Sequence, residues 1–175
     1  MDNKQIKACL SKITSGDKKA FEELYQDLSI PIYTIVFRLT KNKESSEDIL
    51  HDLFIKLYQS PPGSSVKNPR AYIFQMAHNL ALNNIRKVPP AGLNENHIIF
   101  DDAFSGSVAL QADIAIILKK LTHDELEIVS FRINGDLKFK EISEILQIPL
   151  GTILWKYQKA IGKLRIYLND GLYER

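Results

Sequence analysis

A chain of 175 residues with 45% hydrophobic content fits one large or two small domains and is rich enough in apolar side chains to exclude an unfolded polymer. The single cysteine, Cys9, excludes an internal disulfide, and the four scattered histidines offer no metal-ligand spacing. No apolar run is long enough to span a bilayer and the first twelve residues lack a signal-peptide core, so a cytoplasmic location is expected, with no membrane insertion. The net charge of +2 hides a distribution: residues 1–87 carry 13 Lys/Arg against 9 Asp/Glu, residues 88–112 carry none against 3, and residues 113–175 carry 10 against 9. Two basic blocks flank an acidic connector.

In chain order, residues 3–15 read as an amphipathic helix with Ile6, Leu10 and Ile13 on one face, ended by Gly16. Asp17 is placed to cap a second helix that turns Phe21, Leu24, Tyr25 and Leu28 inward. That helix is expected to break near Ser29-Ile30-Pro31, because proline disfavours helical geometry in the residue before it, and a further run follows from Pro31 with Ile32, Ile35, Val36 and Leu39 inward. Ser45 and Ser46 precede a helix with an apolar stripe at Ile49, Leu50, Leu53, Phe54 and Leu57 and an outer face that opens on Glu44, Glu47, Asp48 and Asp52. Those acids suit the positive end of a helix dipole, and equally a basic partner.

After Asp52 no acid occurs until Glu95. The gap holds an exposed Pro/Gly/Ser loop, QSPPGSSVKN, and the helix NPRAYIFQMAHNLALNNIRK, with Tyr72, Gln75, His78, Asn79, Asn83, Asn84, Arg86 and Lys87 expected outside. Amides, an aromatic and cations without acids suit a single-stranded nucleic acid, and equally an ordinary solvated helix. Residues 89–109 read as a flexible acidic linker between domains at 1–88 and 110–175. Helices follow near Val108 and from Thr122 to the Asn134-Gly135 stop. From Leu137 to Arg165, apolar residues at 142, 145 and 146, then at 153, 157, 160, 161 and 164, surround the turn Gln147-Ile148-Pro149. This is a helix-turn-helix, with Pro149 expected to open its second helix.

The outer side of that second helix carries Thr152, Leu154, Trp155, Lys156, Gln158, Lys159 and Lys163, and no Asp or Glu occurs from Pro149 to Asn169. Such a face suits phosphate, although helix-turn-helix geometry also occurs in proteins that never touch DNA. Trp155 has two readings, a groove-facing side chain or a core aromatic. No phosphate loop, nucleophile with a nearby base or metal-ligand spacing supports an enzyme, and nothing calls for a cofactor. The fold class is all-α: two small helical domains joined by a flexible linker.

Taken together the two halves resemble one family, the small alternative sigma factors of bacterial RNA polymerase in the extracytoplasmic-function (ECF) group of the sigma-70 family. The first half resembles sigma domain two through FEELYQDLSIPIYTIVFRLTKN, SSEDILHDLFIKLY and NPRAYIFQMAHNLALNNIRK. The second resembles sigma domain four through KKLTHDELEIVSFRINGDLKFKEISEILQIPLGTILWKYQKAIGKLR, so that the resemblance spans residues 17–168.

The resemblance implies that Asp48, His51, Asp52 and Phe54 grip the polymerase clamp. Ser64, Lys67, Arg70, Tyr72, Asn79, Asn83, Arg86 and Lys87 would meet the unwound minus-ten strand, and Lys138, Lys140, Thr152, Leu154, Trp155, Lys156, Lys159 and Lys163 the minus-thirty-five duplex. The implied partners are core RNA polymerase, through its clamp and flap regions, and promoter DNA, with an anti-sigma factor as a further partner; the linker would run towards the RNA exit path. The other reading is a free-standing helix-turn-helix regulator with an N-terminal dimerisation or sensing bundle. Five positions depart from the family pattern: His51 stands where Gln is usual, Tyr72 where Trp is usual and Gln147 where a turn glycine is frequent, and Leu154-Trp155 replaces a commoner Lys-Ser pair. Gln147 is expected to adopt a left-handed backbone at a cost on the order of 1 kcal/mol. The Leu-Trp pair leaves fewer groups to hydrogen-bond base edges and favours thymine methyls.

Overall fold

The computed structural model describes residues 1–63, 65–87, 118 and 120–173, with side chains of the last helix described as far as residue 166. The described residues form seven α-helices and no strand. Two compact units divide the chain, Met1–Leu93 and Asn94–Arg175. The sequence-predicted linker at 89–109, and the helix expected near Val108 up to residue 117, lie outside the described residues.

In the first unit, α1 (Asn3–Thr14) starts from a reciprocal cap: Asp2 Oδ1 accepts from the Gln5 N–H at 2.8 Å, and Gln5 Oε1 accepts from the Asp2 N–H at 2.7 Å. Gly16, at φ +86°, turns the chain out of it, and Asp17 caps α2 (Lys18–Thr40) by accepting from the N–H groups of Lys19 and Ala20. The break expected at Ser29-Ile30-Pro31 does not occur, and α2 runs unbroken through Pro31. Proline removes the bond that the Asp27 carbonyl would have received. However, Leu24, Leu28, Ile32 and Ile35 form one buried stripe across that point, and packing of the stripe outweighs the local preference. The Thr34 hydroxyl also donates to the Ile30 carbonyl at 2.9 Å.

Helix α3 (Lys43–Gln59) starts two residues before the serines read as its cap, because Asn42 caps it instead, accepting from the Ser45 N–H at 2.8 Å. Ser46 is buried: its hydroxyl lies 2.7 Å from that of Thr40 and donates to the Asn42 carbonyl at 2.6 Å, fastening the corner between α2 and α3. Helix α4 (Pro69–Lys87) completes the bundle, in which α2 packs against α1, α3 and α4.

The second unit begins its described helices with α5 (His123–Ile133), where Thr122 and Glu125 form a capping box. A Cβ at Gly135 would stand 2.6 Å from the Phe131 carbonyl oxygen, so only glycine fits this exit turn. Helix α6 (Phe139–Leu146) ends at Gln147 with φ 57° and ψ 35°, the left-handed conformation expected of it, and α7 (Leu150–Tyr173) follows. Pro149 stands one position outside α7, its carbonyl accepting from the Ile153 N–H at 3.0 Å. Leu121, Val129 and Ala160 centre a core against which Leu118, Leu126, Tyr157 and Leu164 pack.

Candidate polymerase and nucleic-acid interfaces

Asp48 and Asp52 lie one turn apart on α3 and are both exposed, as are His51 and Ile55 beside them. Among the described residues no cation pairs with Asp48 or Asp52, whereas Lys43 reaches Glu47 across 3.8 Å of open surface. Phe54 corrects the role the resemblance implied and keeps to the apolar stripe read along α3: it points inward, 3% exposed, edge-on to Phe21 at 6.0 Å between ring centroids and 4.7 Å from Tyr25. It holds α3 to α2 and presents no surface to a partner. Ile55, which the sequence reading left out, is the apolar side chain that α3 exposes beside the acids.

On α4, Tyr72, Asn79, Asn83 and Arg86 are exposed at steps of 7, 4 and 3 residues, the spacing of a single helix face, and Lys87 is exposed beside them. Lys67 is exposed in the preceding loop, and Ser64 lies outside the described residues. Arg70 is a second correction. Only 9% exposed, its Nη1 donates to the Met1 carbonyl at 2.9 Å and lies 3.5 Å from Asp27 Oδ2, while its guanidinium sits over the Phe74 ring. A guanidinium spent on these contacts is not placed to meet phosphate. His78, read as available outside, is buried. The Arg70 error has its cause in packing: α4 packs on α1 and α2, so the guanidinium meets Met1, just ahead of α1, and Asp27 of α2, and that acid comes from 43 residues upstream, beyond the reach of local periodicity.

In the second unit the α6–α7 turn is fixed by Ser143. Its carbonyl accepts from the N–H groups of Gln147 and Ile148, and its hydroxyl donates to the Ile148 carbonyl at 2.6 Å. Lys138 and Lys140 are exposed at the start of α6. On α7, Leu150, Leu154, Trp155 and Lys159 are exposed and Thr152 is half-buried. The core reading of Trp155 fails: the indole stands in solvent, with Lys159 Nζ 5.0 Å from its centroid in a cation–π contact.

The acid-free face needs amendment, because α5 brings two carboxylates to it. Lys156 Nζ donates to Asp124, and Lys163 Nζ donates to Glu125 Oε2 at 2.6 Å. The hydrogen bond from Lys156 holds the Asp124 carboxyl below its ordinary range. Burial pushes Glu125 up, but the hydrogen bonds from Lys163 and the Thr122 N–H outweigh it, and its net shift is downward. Sequence reasoning missed this pair of clamps. The one local sign of it is the Asp-Glu doublet behind a capping threonine, which dipole and capping arguments already explain.

Among the described residues no group of three His, Cys, Asp or Glu is placed to hold a metal ion, and no helix is long and apolar enough to cross a membrane.

Comparison with known proteins bears on both units. Sigma-70 region 2 matches residues 24–88, and Sigma-70, region 4 matches residues 117–165. The ECF RNA polymerase sigma factor SigW of Bacillus subtilis is 24% identical over 182 residues, covering 94% of this chain and 97% of the relative. The ECF RNA polymerase sigma factor SigK of Mycobacterium tuberculosis is 24% identical over 177 residues, covering 94% of each. Among solved structures, sigma factor RpoE in complex with the anti-sigma factor NepR from Bartonella quintana aligns at a TM-score of 0.65 and 19% identity, over 86% of this chain and 98% of that one. CnrH in complex with the cytosolic domain of CnrY aligns at a TM-score of 0.61 and 17% identity, over 95% of this chain and 98% of that one. With both regions present in order and relatives matched along nearly their whole length, the chain belongs to the sigma-70 family of RNA polymerase promoter-specificity subunits, in its ECF group.

Proposed function

We propose that this chain binds core RNA polymerase through the outer face of α3, reads an opened minus-ten strand with α4 and a minus-thirty-five duplex with α7, and so directs initiation without chemistry of its own, in the cytoplasm. The observation that carries the reading is the presence of region 2 and region 4 in one chain, each with a charged helix face turned to solvent. On α3, Asp48, Asp52 and His51, with Ile55 beside them, supply charge and an apolar anchor for a basic helical partner. On α4, Asn79 and Asn83 offer amides to unstacked bases, Tyr72 a stacking face, and Arg86, Lys87 and Lys67 charge for the backbone. On the helix-turn-helix, Lys138, Lys140 and Lys159 serve phosphates, and Leu154 and Trp155 face the groove. Because RpoE was solved with an anti-sigma factor, an inhibitor of the same kind is proposed for this chain.

The test is transcription by core polymerase, with and without the chain, on a library of genomic fragments. Chain-dependent start sites sharing a two-part upstream element are expected. Absence of any chain-dependent start, with specific DNA binding that needs no polymerase, would overturn the reading in favour of a free-standing regulator.

A further inference from the structure

The start of α7 is apolar where a duplex-reading helix ordinarily presents hydrogen-bonding groups. Leu150, Leu154 and Trp155 are 41%, 38% and 58% exposed, all within six positions. Scattered exposed leucines need no explanation, but a cluster at the leading end of the second helix of a helix-turn-helix does. Residues 150 and 154 are one turn apart and share a face, and Trp155 flanks it. The indole is braced by the Lys159 ammonium, which orients a large rigid ring before any partner arrives.

The side chains that would read bases by paired hydrogen bonds are missing from this part of the helix. Arginine or lysine grips guanine, and asparagine or glutamine grips adenine, each through two bonds in the major groove. Between Gln147 and Gln158 there is no Arg, Asn or Gln, and the one cation, Lys156, is engaged by Asp124. What remains is the half-buried Thr152 hydroxyl, a single indole N–H, and the hydroxyl of Tyr157, whose ring packs inward against the core and Phe139. The surroundings still favour a polyanion, since the two carboxylates that α5 brings to α7 are already paired with Lys156 and Lys163, and Lys138, Lys140 and Lys159 are exposed. An occupant both polyanionic and apolar at the point of contact is duplex DNA with thymines, because the thymine C5-methyl is the apolar group that the major groove displays.

We propose that α7 reads its duplex chiefly by thymine methyl groups, packed against Leu150, Leu154 and Trp155, with the cations supplying affinity and little choice of sequence. This specificity rests on the promoter reading above.

The experiment uses the full chain bound to core polymerase. A duplex pool randomised across the upstream element is selected for binding, and the preferred element is remade with deoxyuridine in place of each thymine in turn. Deoxyuridine keeps every hydrogen-bonding group and removes only the methyl. At one or two positions it is expected to weaken binding about fourfold per methyl, the value of burying one such group. Leu154→Ala or Trp155→Ala should weaken binding to the thymine element and erase the thymine–deoxyuridine difference at the position that side chain covers, while the difference at the other positions persists. A preferred element that lacks thymine, or one indifferent to deoxyuridine throughout, overturns the methyl reading and leaves the promoter reading standing. If no element is preferred, both fall. A chain that sediments as a dimer, and as a monomer after Leu154→Ala, would assign the apolar face to a second copy and overturn the proposal.

Discussion

On α3 the carboxylates of Asp48 and Asp52 stand in solvent with no cation of the described residues paired to them, whereas on α7 two cations, Lys156 and Lys163, are already engaged by Asp124 and Glu125 of α5. The first face leaves its charge unpaired among the described residues. In the second, part of the charge holds the fold together, leaving Lys159 and the apolar start of the helix to face outward. Charge counted along a sequence therefore overstates what α7 can offer a phosphate, and understates nothing on α3. Substitutions on the two faces should separate accordingly: those on α3 change binding and spare stability, and those at the clamped lysines change both.

The largest effect is expected from reversing the unpaired face. Asp48→Lys with Asp52→Lys should lower affinity for core polymerase about 100-fold or more, because like charges brought together at an interface cost several kcal/mol. Unfolding of the variant should stay within about 1 kcal/mol of the parent, since both positions are exposed and lie beyond the first turn of α3. Pull-down with core enzyme beside a denaturation curve reads both quantities. A large fall in stability would break the contrast.

Next in size is Lys163→Met, which strands the buried Glu125 carboxylate without its ammonium. The second unit should lose about 1.5–3 kcal/mol, the worth of a hydrogen bond to a charged group, measured by urea denaturation, with the Thr122 N–H still donating to the carboxylate. Both Asp124 and Glu125 have folded values below their ordinary ones. The stability they contribute is therefore complete above the ordinary Glu value of 4.5 and is lost as pH falls through the folded values. Lys163→Met should flatten that acid limb, and an unchanged limb would show that the clamp contributes nothing.

A smaller effect belongs to α4, whose amides also face outward. Asn79→Ala should leave the closed promoter complex intact and reduce strand opening about three- to tenfold, the worth of one hydrogen bond made only after the base has left the stack. Permanganate reactivity of minus-ten thymines measures it, and undiminished reactivity would remove Asn79 from the site. The smallest expected change is Gln147→Gly. Relief of the left-handed backbone at φ 57° should stabilise the second unit by about 0.5–1 kcal/mol, less the lost bond from its side chain to the Glu144 carbonyl.

Helix existence was legible wherever apolar spacing and capping agreed, as at Asp17 and at Thr122 with Glu125. The left-handed Gln147 was anticipated from the resemblance, because it stands where the family pattern frequently has a turn glycine. Pro31 was misread because a local preference was weighed against no packing, and packing is the larger quantity for a helix buried along its length. Asn42 escaped notice as a cap because the serine pair after it looked sufficient. In the candidate interfaces the exposed members came from one-helix geometry. Arg70 and the two clamped lysines did not, because their positions are decided by α2 and α5, distant in sequence, whereas Phe54 already stood on the apolar stripe of α3 and was set at a surface only by the family resemblance.

The measurement closest to the central claim is a titration of the full chain against core RNA polymerase in the absence of DNA, repeated over a range of salt concentrations. Saturable binding of one chain per polymerase is expected, weakening as salt rises because an exposed acidic face meets a basic one across screened water, and lost in the Asp48→Lys, Asp52→Lys variant. Absence of binding, or binding indifferent both to salt and to that variant, would contradict the account.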